Sequence, residues 1–319
     1  MSETTDKPWY DIEHMKLLLE NPNINSDEDI AEYFGDRGYT VSRRAITDAR
    51  NALGLPAKSK AEEVFDVELE ELEPPKILFL DIETRPNLSY HWRMYDENIG
   101  VNQLVEEHSL FSFAAKWRGR DEVIFFSEYH DGHAAMVEAI HALLDEADFV
   151  IHWNGQKFDV PHINREILLA GLMPPSPYRQ IDLMLIVRKS FKFVSNKLQH
   201  VSTALGLPGK VQHSGFELWL GCMNNDPDAW EEMKEYNCQD TVLLEDIYDY
   251  VLPWIKSHPN VPLYTGVGSC PNCGSAHITS KGTAYLTTRT YEKFQCDDCG
   301  AWMRGTKSQG STGHVPVSY

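Results

Sequence analysis

The chain has 319 residues, 42% hydrophobic and 24% charged, with a formal net charge of −19. That length allows two or three domains, no apolar run nears the eighteen or so residues of a membrane span, and the start MSETTDKPWY lacks the basic and apolar regions of a signal peptide. The reading therefore expects a cytoplasmic protein with no membrane partner. An excess of acid argues weakly against a nucleic-acid partner, so the distribution of charge matters more than its sum. Residues 1–75 carry −10 and residues 76–262 carry −11, whereas residues 263–319 carry +2.

The N-terminal part reads as helices. Residues 8–20, PWYDIEHMKLLLE, place apolar groups at helical spacing. SDEDIAEYF follows with Ser26 or Asp27 as N-cap, and GDRGYT makes a turn. VSRRAITDARNALG predicts a third helix, capped by Ser42 and stopped by Gly54 and Pro56. Residues 37–60 hold six basic groups (Arg37, Arg43, Arg44, Arg50, Lys58, Lys60) against one acid, Asp48. Residues 26–56 resemble a helix-turn-helix, and more narrowly the DNA-reading end of the nitrogen-type alternative sigma factor of bacteria. The resemblance rests on the acidic first helix, Ser42-Arg43-Arg44, and Leu53-Gly54-Leu55-Pro56. It implies a helix in the major groove or along the backbone, with Arg43, Arg44 and Arg50 as DNA-binding groups. The match departs at Ala45-Ile46-Thr47-Asp48, where an acid would face phosphate; a small helical domain that binds protein is the other reading. Residues 59–75, among them the acidic run AEEVFDVELEELEPP, predict a linker between this module (1–58) and the next.

From residue 76 the period changes. KILFLDI at 76–82 is a near-continuous apolar run, as in a strand buried on both faces. LFSFAAKW at 110–117 and VIFF at 123–126 predict an antiparallel hairpin across the short RGRDE link. A helix follows over AAMVEAIHALLDEA, then a strand over 149–153, then helices at 159–171, 182–190, 196–205 and 228–250. The fold class is α/β: strands and helices in the order βββαβα, then helices, match a ribonuclease H-like mixed sheet with flanking helices over 76–262.

Three acidic motifs lie along this segment. Asp81 and Glu83 end the first strand, and alternation puts both on one side. Asp159 follows an Asn-Gly turn in WNGQKFD. Tyr236 and Asp240, in EYNCQDTVLLED, are four apart on a helix and share a face. Each alone has an ordinary explanation: an exposed strand end, an N-cap before Pro161, a solvated Asp beside a core Tyr. Their order on strand, post-strand turn and late helix is what carries information.

That joint pattern resembles the proofreading exonuclease domain of family B DNA polymerases and the tyrosine-bearing branch of the DEDD superfamily. It also resembles ribonuclease H-like exonucleases of bacteriophages and bacteria, for which the location would be the host cytoplasm. LFLDIETRP (78–86), IDLML (181–185) and LQHVSTALG (198–206) are further echoes, and the resemblance covers roughly 76–256. Too few residues follow for a polymerase, so proofreading in cis is not expected. The resemblance implies a 3′→5′ exonuclease with two Mg²⁺ or Mn²⁺ ions stabilising the attacking and leaving oxygens. Asp81 would bridge them, with Glu83 and Asp240 completing one site and Asp159 supporting the other. Tyr236 would orient the attacking water, Asn154 and Phe158 would touch the terminal nucleotide, and nucleoside 5′-monophosphates would be released. RKSFKFVSNK (188–197) interleaves cations, Arg188 and Lys192 among them, with Phe191 and Phe193, a mixture suited to a single strand; a solvated helix face with buried Phe is the other reading.

The tail, 263–319, holds Cys270-Pro-Asn-Cys273-Gly and Cys296-Asp-Asp-Cys299-Gly with 22 residues between the two pairs. Two such knuckles predict a zinc ribbon with four thiolates on one structural Zn²⁺. The intervening ITSKGTAYLTTRTYEKFQ reads as a β-hairpin. The expected activity is removal of nucleotides from DNA 3′ ends. The alternatives are an RNA 3′ exonuclease, a structure-dependent endonuclease, or a DNA-binding regulator on a non-catalytic nuclease fold.

Overall fold

The computed structural model describes residues 11–21, 24, 26–55, 73–95, 98–208, 213–266 and 269–314. Most of the expected linker, the expected helix start at 8–10, Pro56, Lys58 and Lys60 lie outside the described residues. The chain divides into two compact units, Met1–Glu71 and Leu72–Tyr319.

In the first unit, α1 (Ile12–Glu20), α2 (Asp27–Gly35) and α3 (Arg43–Ala52) form where caps occur in the sequence. Asp11, Ser26 and Ser42 each accept a backbone N–H of the following first turn, satisfying amides that no helical carbonyl reaches. Met15, Leu18, Ile30, Phe34, Ile46 and Ala49 close a small core. Arg50 departs from its expected place on a DNA-facing surface. It is buried; its Nε donates to Asp27 at 3.0 Å and its Nη1 to the Leu55 carbonyl at 3.0 Å. Thr47 donates to the same Asp27 carboxylate at 2.7 Å. A guanidinium on the inner face of α3 has to be paired, because an unpaired buried charge is very costly. Arg50 therefore ties α3 to α2. Arg43 is exposed, 3.9 Å from Glu28, and Arg44 is exposed with no ion pair among the described residues.

The second unit is built on a five-stranded mixed sheet flanked by helices, a ribonuclease H-like fold, with strand order β5-β4-β1-β6-β7. The strands are β1 (Ile77–Thr84), β4 (Leu110–Trp117), β5 (Val123–Ser127), β6 (Phe149–His152) and β7 (Arg179–Asp182); the small pair β2 (Leu88–Ser89) and β3 (Leu104–Glu106) lies outside it. β5, β4 and β1 run antiparallel, whereas β1, β6 and β7 run parallel. β1 is central and alternates between two cores. Leu78, Leu80 and Ile82 pack toward α4 (His133–Glu146) and α5 (Asp159–Leu169). Ile77 and Phe79 pack toward α6 (Leu183–Ser190), α7 (Leu198–Ala204) and α9 (Pro227–Val251). Two-residue alternation carries Asp81 and Glu83 onto this second face, opposite α9.

β7 and α8 are among the elements that were not expected. β7 has four residues, too few for a period, and two of them, Arg179 and Gln180, are exposed. α8 (Phe216–Met223) contains Gly221, a helix-breaking signal in sequence. A Cβ at Gly221 would lie 2.6 Å from that of Ala229, so the glycine permits close approach of α8 and α9.

The tail forms three strands rather than two: β8 (Ile278–Tyr285), β9 (Arg289–Cys296) and β10 (Trp302–Ser311), in the order β10-β9-β8. Its knuckles are fastened to the body of the unit. The Asn272 side-chain amide donates to the carbonyls of Leu252 at 2.7 Å and Ile255 at 3.1 Å, just past α9. Cys273 and Cys299 pack against the core under α9. Asn272→Ala takes a donor from two buried carbonyls, of which Leu252 keeps the Ile255 N–H at 3.2 Å, and costs about 1–3 kcal/mol. Calorimetry of the full chain should show a lower melting temperature. An unchanged melting temperature would mean that Asn272 does not fasten the tail.

Candidate active site

The inner stripe of α9 is apolar at both ends and polar in the middle: Trp230 and Met233, then Tyr236, Asn237, Asp240 and Thr241, then Leu244 and Ile247. Buried polar groups need partners, and these find them on the sheet. Asn237 Nδ2 donates to Asp81 Oδ2 at 2.7 Å and to the Asp81 carbonyl at 3.3 Å. Its Oδ1 accepts the Ser112 hydroxyl at 3.2 Å. Thr241 donates to the Ala114 carbonyl at 3.2 Å. These bonds set the height of α9 against β1 and β4, and so the position of Tyr236 and Asp240 relative to Asp81 and Glu83.

The phenol of Tyr236 reports the result. Burial drives its pKa far up, and the negative charges of Glu83, Asp240 and Asp81, with a hydrogen bond to Glu83, push the same way. The charges of three carboxylates thus act on one buried hydroxyl, and Tyr236 stays protonated. Its ring lies 4.7 Å from that of His213 and 6.2 Å from that of Trp219.

Asp159 reaches the same strand from the other side. It opens α5, and its Oδ1 accepts the Ile82 N–H at 3.3 Å. Burial pushes its carboxyl pKa up to about 7, against the pull of its own and the Ile82 amide, with the charge of Asp182 adding to the rise. The turn that delivers it is tight. Asn154 has φ 67°, in the left-handed region that Asn tolerates better than most residues, and its N–H donates to Asp182 Oδ1 at 3.1 Å. The Gly155 N–H donates to His152 Nδ1 at 3.1 Å. A Cβ on Gly155 would stand 2.4 Å from His152 Cγ. Phe158, 40% exposed, has its ring 4.7 Å from that of His162.

Asp81, Glu83, Tyr236 and Asp240 are therefore brought together, and Asp159 joins them through the Ile82 amide. The carboxylates are not drawn tight. Among the described residues, the four cysteines are the one group of three or more potential ligands whose donor atoms all lie within 4.8 Å of one another. In the cysteine group the sulfurs of Cys270 and Cys299 are 3.5 Å apart, and those of Cys273 and Cys296 3.6 Å. Those separations are close to the edge of about 3.8 Å in a tetrahedron with ~2.3 Å metal–sulfur bonds, so the donor set fits an ion. Arg188 and Lys192 are exposed and make no ion pair among the described residues. Phe191 and Phe193, open in sequence to either reading, pack against the core, Phe191 5.3 Å from Trp254.

Sequence reasoning missed Asn237 and left Asp182 without a role. The signal for Asn237 was present: an amide within the stripe 233, 237, 240, 244 has to face something polar. Asp182 accepts from both Leu185 N and Asn154 N, starting α6 and holding the turn before Asp159. That link spans 28 residues and has no signature in sequence.

A family model for the RNase_H superfamily matches residues 78–252. The chain belongs to that superfamily. A family B DNA polymerase from the hyperthermophilic archaeon Pyrobaculum calidifontis is similar at 14% identity and a TM-score of 0.45, over 68% of this chain and 32% of the polymerase. The chain thus spans about a third of that polymerase's length. No curated protein matches it. No helix among the described residues is long and apolar enough to cross a membrane.

Gly155→Ala tests the turn. The new methyl must displace a fully buried His152, an overpacking that costs typically 1–3 kcal/mol. The expected result is a lower melting temperature. An unchanged one would show that the turn yields freely.

Proposed function

We propose that this protein is a metal-dependent 3′→5′ exonuclease of the DEDD type acting on DNA. The observation that carries the reading is the convergence of Asp81, Glu83 and Asp240 on the Tyr236 hydroxyl, with Asp159 tied to the same strand. In this reading Asp81, Glu83, Asp159 and Asp240 hold two Mg²⁺ or Mn²⁺ ions, for which hard carboxylate oxygens are the suitable donors. Bound there, such ions would supply the charge that polarises a scissile phosphate and lowers the pKa of a water. Tyr236, whose hydroxyl burial keeps protonated, would orient that water through its O–H. Asn237 fixes the Asp81 carboxylate so that it cannot swing away. Phe158 offers a ring face, and Asn154 a polar side chain, to the terminal nucleotide, while Arg188 and Lys192 meet phosphates beyond it.

The flanking parts complete the proposal. Residues 1–58 are a helix-turn-helix that contacts DNA through Arg43 and Arg44, and 59–75 are an acidic linker. Residues 76–262 are the nuclease, and 263–319 a zinc ribbon in which Cys270, Cys273, Cys296 and Cys299 hold one structural Zn²⁺. The preference for DNA over RNA rests on the N-terminal module. No membrane partner is part of the reading.

The test is digestion of 5′-labelled single-stranded DNA, double-stranded DNA and RNA with Mg²⁺ or Mn²⁺. A ladder shortening from the 3′ end of DNA, abolished by EDTA and by Asp81→Ala or Asp240→Ala, is expected. Cleavage surviving in Asp81→Ala or in excess EDTA would overturn the metal site, and faster digestion of RNA would overturn the choice of substrate. Asn237→Ala should weaken the apparent affinity for Mg²⁺ by roughly 10–100-fold, the usual cost of losing a partner that orients a ligand. An unaltered metal dependence would remove Asn237 from the site. Elemental analysis should find one zinc per chain, and its absence after chelator-free purification would refute the ribbon.

A further inference from the structure

A chain with a net charge of −19 needs a place where a polyanion is welcome, and the described residues of the second unit offer one outside the carboxylate site. In the three-stranded sheet of the tail, Trp302 pairs with Gln295 and Arg304 with Lys293 across β10 and β9. Paired residues of an antiparallel ladder share a face. Tyr291, Lys293, Gln295, Trp302 and Arg304 therefore lie on one side. There the Lys293 ammonium sits 5.3 Å from the centre of the Trp302 ring, and the Arg304 guanidinium 4.2 Å from that of Tyr291. Trp302 is 56% exposed.

The acids of the tail are held elsewhere. Glu292 projects from the opposite face and accepts the Ser280 hydroxyl at 2.8 Å. Asp297 accepts from Thr279 at 2.9 Å, and Asp298 from Ser275 at 2.5 Å, both at the knuckle end. Among the described residues no Lys or Arg of the tail forms an ion pair with a carboxylate, so its cations keep their charge for a partner.

We propose that this face, through Lys293, Trp302 and Arg304, binds the single-stranded nucleic acid upstream of the 3′ end held at the carboxylates. The inference rests on the nuclease reading above. The chemistry is that of a strand-tracking surface: cations for phosphates, an exposed ring for bases, and no base-edge reading. Charge complementarity selects the partner, because residues 263–319 carry +2 beside the −11 of residues 76–262. Position agrees as well. Asn272 fixes the knuckles to Leu252 and Ile255, and Leu252 lies twelve residues beyond Asp240, ~18 Å along the helix axis. That is the separation along α9 between the carboxylate site and the anchor of the tail.

The experiment uses the full chain and two 5′-fluorescent oligonucleotides with the same 3′ sequence, a 4-mer and a 20-mer. Phosphorothioate 3′ linkages slow cleavage, and affinity is read by anisotropy at several salt concentrations. The wild type should bind the 20-mer more tightly than the 4-mer. Trp302→Ala, and Lys293→Gln combined with Arg304→Gln, should each weaken 20-mer binding by about tenfold or more, collapsing that preference. The double substitution should also flatten the log–log salt slope by about 1.4, two phosphates at ~0.7 each on a single strand. Glu292→Gln, on the opposite face, should leave the preference where the wild type has it. Zinc content and melting temperature verify that each variant is folded, and the charge pair provides the test if Trp302→Ala is not. Folded variants with unchanged affinity and slope would overturn the inference and leave the face to solvent or to a protein partner. A wild type that binds neither oligonucleotide would overturn the nuclease reading first, and this inference with it.

Discussion

The Asn237 amide holds the Asp81 carboxylate at 2.7 Å, and the rest of the candidate site depends on that contact. It joins the middle of α9 to the end of β1, the two elements that carry Asp81, Glu83, Tyr236 and Asp240. The problem it meets is electrostatic. Carboxylates brought together without a cation repel, and the apolar ends of α9 have no means of opposing a slide or a tilt. A polar lock in the middle of an apolar stripe does oppose it, since breaking it strands the buried Ser112 hydroxyl as well as the amide itself. Asn237 is thus placed to keep an unfavourable arrangement in register.

A second lock acts at the opposite edge of β1. The parallel strands β1, β6 and β7 bring their carboxyl ends to one side of the sheet, where open α/β sheets bind ligands. Asp182, at the end of β7, holds Asn154 at the end of β6, and Gly155 lies against His152 with no room for a side chain. The turn between them hands Asp159 to the Ile82 amide. Asp159 is therefore located by backbone and packing.

Much of this was legible in the sequence. The strands at 77–84, 110–117 and 123–127 and the long helix at 227–251 form close to where their periods end, because strong alternation and caps are local signals. Ser26 and Ser42 cap as their spacing predicts. β7 and α8 were illegible for opposite reasons. Four residues cannot establish a period, and the glycine of α8 serves a helix contact that only the folded chain reveals. Arg50 was misread because composition shows a basic helix without showing which basic residue faces inward; its pairing with Asp27 spans 23 residues. Phe191 and Phe193 take the second of the two readings the sequence left open, since a ring beside a lysine looks the same in sequence whether it meets a base or the core.

The central claim is that these carboxylates, held by Asn237 and Ile82, bind divalent metal. The most direct measurement is titration of the full chain with Mn²⁺ followed by electron paramagnetic resonance, in which bound ions lose the sharp signal of free Mn²⁺. The account predicts up to two bound Mn²⁺ per chain in the wild type, in excess of any zinc, and fewer in Asp81→Asn and in Asp240→Asn, both folded. Equal binding by the wild type and Asp81→Asn, or no binding by either, would contradict it.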